Sequence, residues 1–157
     1  MSRVRAVKPD PRLSDLLPGA QFADAYGVVT AEPGLRAETA AHRMFDSAPA
    51  WANGLMALRD IIVTPLGLKT SRRQASLNLA RIGIFPIQSV TPSRIVLGFE
   101  DSHLDFRAVV DVAALEGGSL VTTTTVVRLN NLLGRLYLAA ILPFHILIVR
   151  SMLKKLG

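Results

Sequence analysis

The chain has 157 residues, enough for one compact domain and too few for two of ordinary size. Half of the residues are hydrophobic and 19% are charged, which excludes a disordered chain, because so much apolar surface offsets the entropy lost on folding. There is no cysteine, so a disulfide framework, a thiolate metal site and a cysteine nucleophile are excluded as well.

The formal net charge of +6 and the pI near 10.5 suggest a nucleic-acid or membrane-surface partner. The charge, however, is uneven. Residues 1–13 carry Arg3, Arg5, Lys8 and Arg12 against Asp10 alone. Residues 128–157 carry Arg128, Arg135, Arg150, Lys154 and Lys155 and no acid. The stretch between them is slightly acidic, which argues against a nucleic-acid groove running across the whole protein. The N-terminus is charged and proline-bearing and has no apolar core of a secretory signal, so a cytoplasmic protein is expected.

Taken in chain order, residues 1–14 read as a flexible basic arm and 15–157 as one domain. Pro9, Pro11, Pro18 and Gly19 make the first twenty residues an expected irregular stretch. Phe22–Thr30 is rich in β-formers and predicts a strand. After the turn Glu32-Pro33-Gly34, the spacing of Ala40, Ala41, Met44, Phe45 and Ala48 predicts a helix over 37–46. Ser47 and Pro49 suit the start of a second helix over 50–63, with Trp51, Leu55, Leu58 and Ile62 on one stripe. Residues 67–81 form a connector with Lys69, Arg72, Arg73 and Arg81 and no acid.

Beyond residue 81 the pattern changes to strands, expected at 82–90, 94–99, 103–113 and 119–129. Pro86 marks an edge or a bulge in the first of these. Thr122–Thr125, flanked by valines, is a strong β signal because all these side chains are β-branched. A long helix over 130–156 follows, capped by Asn130 or Asn131. It is apolar on all sides in its middle, so it is expected to be wrapped by other structure. Pro143 should kink it. Its uncharged run, 136–149, spans roughly 21 Å at ~1.5 Å per residue, short of the ~30 Å hydrocarbon core, so a buried or interfacial helix is expected rather than a span. The order predicts an α+β fold with an antiparallel sheet curled around the terminal helix.

The phrases LPGAQFADAY (17–26), MALRDIIVTPLGLKT (56–70), IGIFPI (82–87), HLDFR (103–107) and NNLLGRLYLAAILPFHILIVRSML (130–153), in this order, resemble the bacterial DUF2867 family, a domain of unknown function. Its members look like relatives of the START-like (SRPBCC, helix-grip) superfamily. That resemblance implies a curved antiparallel sheet gripping the C-terminal helix, with an apolar cavity between them. It implies lipid-, sterol- or polyketide-like ligands, and in a few members their cyclisation or hydrolysis. Some DUF2867 members follow an NAD-binding domain, but this sequence has no GxGxxG and no cofactor is expected.

His103, Asp105, Arg107 and Asp111 share one face of the strand at 103–113. If that face points into the cup, Asp105 orients His103 and pairs with Arg107, making a polar anchor or an acid/base pair. If Leu104, Phe106 and Ala108 point to the core instead, the polar set is solvated. His145, in the apolar helix, is either a ligand contact or a core residue bonded to a carbonyl that Pro143 leaves free. Arg59 reaches the cavity mouth or pairs with Asp60 at the surface. The three histidines are too scattered for a metal site, and no serine-nucleophile motif is present.

Three readings follow. The first is a binding protein holding a hydrophobic small molecule, with His103, Asp105, Arg107, His145 and Arg59 as contacts. The second is a cyclase- or hydrolase-type enzyme using His103 and Asp105. The third is a membrane-peripheral or protein-partner module. The basic edges imply at most weak contact with an anionic membrane surface. Nucleic acid is not expected, because the basic segments lack interleaved aromatic residues. The sequence leaves the oligomeric state open.

Overall fold

The computed structural model describes residues 3–45, 81–82, 85–100 and 104–157. The expected second helix, the basic connector apart from Arg81, and Trp51, Arg59 and His103 lie outside the described residues.

The fold is α+β, a curved antiparallel sheet with the C-terminal helix packed against it, as in a helix-grip arrangement. The strands among the described residues are β1 (Arg5–Val7), β2 (Phe22–Thr30), β3 (Arg81–Ile82), β4 (Phe85–Val90), β5 (Arg94–Glu100), β6 (Leu104–Leu115) and β7 (Gly118–Leu129). Their order across the sheet is β1-β2-β7-β6-β5-β4-β3. Strands β3 to β7 form a meander of neighbours. The exception is β2, which inserts beside β7 and carries the N-terminal segment with it.

Local chemistry explains the strand ends. β6 and β7 are joined by the two residues Glu116 and Gly117, with Gly117 at φ 74°, a left-handed conformation that costs glycine little. Strand β2 runs over the expected residues, and the Thr122–Thr125 run lies in the middle of β7, paired with both β2 and β6. The irregularity expected at Pro86 falls beside it, as a register shift between Ile87 and Ser89 on β4.

Helix α1 (Ala37–Phe45) lays Ala37, Ala40, Ala41 and Met44 on the sheet. Helix α2 (Leu132–Lys154) is capped by Asn131, whose side-chain oxygen accepts from the Gly134 amide at 3.0 Å. It passes through Pro143 without ending.

The sheet buries different sets on its two faces, because successive strand side chains alternate. Tyr26, Val28, Ala108, Val110 and Val121 form the main core with α1 and with Val149, Met152, Leu153 and Leu156 at the C-terminal end of the chain. On the other face, Val96, Val109 and Val126 are covered by Leu13 and Leu17. The first twenty residues, expected to be irregular, thus have a structural role. β1 pairs with β2, and the 3-10 helix Pro11–Leu16 seals the face away from α2.

Helix α2 departs from the expectation of a wrapped helix. Within it only Gly134, Val149, Met152 and Leu153 are buried. Its other residues are half-buried or exposed, with Leu132, Leu136, Phe144 and Leu147 among the exposed ones. The sequence expectation considered only the uncharged run. The helix itself is 23 residues, long and apolar enough by length and composition to cross a membrane.

Candidate functional site

The face of β2 that meets α2 carries Phe22, Asp24, Tyr26 and Val28 in alternation. Tyr26 and Val28 belong to the main core. Asp24 pairs in register with Thr125, which itself pairs with the core residue Ala108, so Asp24 points to the same side. A carboxylate in this apolar row needs a partner, because burying it alone is costly. His145 supplies one from α2. Its Nε2 lies 3.3 and 3.2 Å from the two Asp24 oxygens, and the Phe22 ring stands edge-on to the imidazole with centroids 6.5 Å apart. Both side chains of the pair are about one-fifth exposed, so it is partly desolvated.

Two further groups act here. Burial pushes the Tyr26 phenol above its ordinary range, the Asp24 charge adds to the rise, and Arg150 on α2 opposes it. The imidazole carries its contact at Nε2.

The inner stripe of α2 continues away from His145 through Tyr137, Leu138, Ile141 and Leu142, all half-buried. Phe22, Phe106 and Leu129, also half-buried, lie on the sheet face on this side. Helix and sheet thus each carry a mostly apolar, half-buried row on this side, and the Asp24–His145 pair lies between them and the buried C-terminal end of α2. At the far end of the sheet, beside Leu35, Arg36, Pro92, Val112 and Ser119, lies a separate open depression of about 270 Å³.

Asp105 and Arg107 do not face α2. They alternate with Phe106 and Ala108, and Arg107 pairs in register with Val126 of the opposite core. The sequence left the orientation of this strand face open; here Ala108 and Val110 belong to the core under α2, and Asp105 and Arg107 lie on the other side. Nor does Asp105 pair with Arg107. Its carboxylate, 4% exposed, accepts from Arg128 Nε at 3.0 Å, from Arg128 Nη2, and from Asn130 Nδ2 at 3.3 Å. Arg128 also donates to the Pro18 carbonyl at 3.1 Å, so this carboxylate ties the N-terminal segment to the sheet. Arg107 Nη1 donates to its neighbour's carbonyl, that of Phe106, at 2.9 Å. Asp111 is held by Arg94, with Nε to Oδ1 at 2.5 Å, which raises the Arg94 pKa.

Of the expected site residues, His145 alone is placed on the sheet–helix side among the described residues. Asp24 and Tyr26 were missed. The signal for them was an acid set two residues from aromatics on both sides, on the strand face that carries the core. No group of three or more histidines and acids able to hold a metal occurs among the described residues.

A curved antiparallel sheet with a terminal helix packed across it defines an α+β protein of the helix-over-sheet class. The profile of the DUF2867 family, proteins of unknown function, matches residues 16–152, nearly the whole chain, and the protein belongs to that family. No curated protein and no solved structure matches the chain.

Proposed function

We propose that the protein is a START-like binding protein that holds a hydrophobic, lipid- or polyketide-like molecule between α2 and the sheet. The observation that carries this reading is the half-buried apolar inner stripe of α2, ending at the Asp24–His145 pair. A half-buried stripe still has apolar surface to cover, and covering it would contribute roughly 25 cal/mol per Å². The pair offers one polar contact for a hydroxyl or carbonyl, which fixes orientation in a site that is otherwise greasy.

The test is native mass spectrometry of protein purified without detergent, with displacement of the fluorescent fatty acid cis-parinaric acid as the second readout. A co-purifying small molecule, or saturable parinarate binding weakened by Leu138→Trp, is the expected result. A bare polypeptide mass together with no parinarate binding would overturn the reading.

A further inference from the structure

On the side of α2 opposite His145 the helix is apolar where a surface helix is normally polar. Leu132 is 70% exposed, Leu136 61%, Phe144 43% and Leu147 57%. With Ala139, Ala140 and Pro143, also exposed, they form one stripe at helical spacing. From Leu132 to Leu147 it runs roughly 22 Å at ~1.5 Å per residue. Cations bracket it: Arg135 near its start, and Arg150, Lys154 and Lys155 beyond its end. No acid follows Glu116 in the sequence. A continuous exposed apolar patch of this kind marks a contact surface.

We propose that this stripe lies in the headgroup–acyl boundary of an anionic lipid bilayer, with the helix parallel to the membrane plane. Charge selects this occupant. Anionic headgroups neutralise the flanking cations while the acyl region takes up the leucines and Phe144. A second copy packed on the same stripe would set Arg135, Arg150 and the lysines of one helix against those of the other. The anchorage of the helix selects the orientation. Val149, Met152 and Leu153 are buried in the main core and His145 is held by Asp24, so α2 cannot leave the sheet to span the bilayer while the fold is intact. The proposal stands whether or not the inner side of α2 holds a ligand.

The experiment uses the full chain with sedimented vesicles of phosphatidylcholine alone and of equal parts phosphatidylcholine and phosphatidylglycerol, at low and high salt. Binding to the anionic vesicles, weakened by salt, is expected. Lys154→Gln with Lys155→Gln should weaken partition roughly fivefold per charge. Leu136→Glu with Leu147→Glu should weaken it about tenfold or more, and circular dichroism should be unchanged because both sites are exposed. Since the chain has no cysteine, Leu136→Cys and Phe144→Cys give single nitroxide labels whose oxygen accessibility reports depth. Both labels should become lipid-accessible together. Three outcomes would overturn the proposal: equal, negligible binding to both vesicles; concentration-dependent self-association removed by the Leu136→Glu variant; or labels already immobile and shielded in the free protein, as cover by residues 46–80 or by a protein partner would produce.

Discussion

Asp24 and His145 stand 121 residues apart in the sequence, yet both oxygens of the carboxylate lie within 3.3 Å of one imidazole nitrogen. The pair joins β2 to the middle of α2, where the helix is otherwise only half-buried. A double-mutant cycle with Asp24→Asn and His145→Phe is expected to give a coupling energy of about 1 kcal/mol by urea denaturation, the size of a partly buried hydrogen bond. A coupling near zero would mean that the two side chains meet without stabilising each other.

Arg128 and Asp105 test how burial sets the worth of an ion pair. Asp105 is buried, while the Asp10–Arg12 pair is exposed, its arginine by 86%. Removing a partner from a buried carboxylate leaves an uncompensated charge. Arg128→Ala is therefore expected to cost about 2–3 kcal/mol, at or below the low end for buried pairs because the arginine itself is one-third exposed. Arg12→Ala should leave the melting temperature almost unchanged. Thermal denaturation of the two variants side by side checks both.

The Tyr26 phenol, pushed up by burial, gives a signed pH dependence. The unfolded chain releases this proton near the ordinary tyrosine value of about 10, and the folded chain only at higher pH. The corresponding stability is complete below that value and declines as pH rises toward the folded value. Tyr26→Phe should flatten the alkaline limb of the stability–pH curve relative to wild type. An unchanged alkaline limb would count against it.

Gly118 begins β7 directly against the end of β2. A Cβ there would sit 2.2 Å from the Thr30 carbonyl oxygen, a backbone atom that cannot step aside. Gly118→Ala is expected to cost about 2 kcal/mol or more through forced separation of β2 and β7. Glu116→Ala, in the exposed turn two residues earlier, should be nearly neutral. Urea midpoints of the two variants make the comparison.

Much of the fold is legible in local pattern. The alternation in 94–129 predicts the β5–β7 meander within two residues at each end, and α1 covers the expected residues up to Phe45, where the described residues stop. What local pattern misses is contact across distance. Nothing in residues 1–20 marks a strand, because β1 is three exposed residues whose only reason to be extended is the edge of β2. The partner of Asp105 is likewise set across strands rather than along one. Residues two apart on a strand are neighbours in the sequence, but the cross-strand residue is closer, at ~5 Å between Cβ atoms, and here it is Arg128. His145 was legible as an isolated polar residue in a greasy helix. Asp24 was not, because a single acid in a strand reads as solvated unless the buried face is known.

The insertion of β2 beside β7 also bears on the order in which the strands are expected to pair. β5, β6 and β7 follow one another closely in the sequence and pair as neighbours, whereas Phe22 must wait for Val127. Closing so long a loop costs entropy before any contact offsets it, so β2 docks late. Pulse-labelled hydrogen exchange should therefore protect the amides of β6 and β7 before those of β2. Because Asp24 rides on β2 and His145 on the last helix, their contact is expected to form late, with the docking of β2, and partly folded forms that lack β2 lack it too.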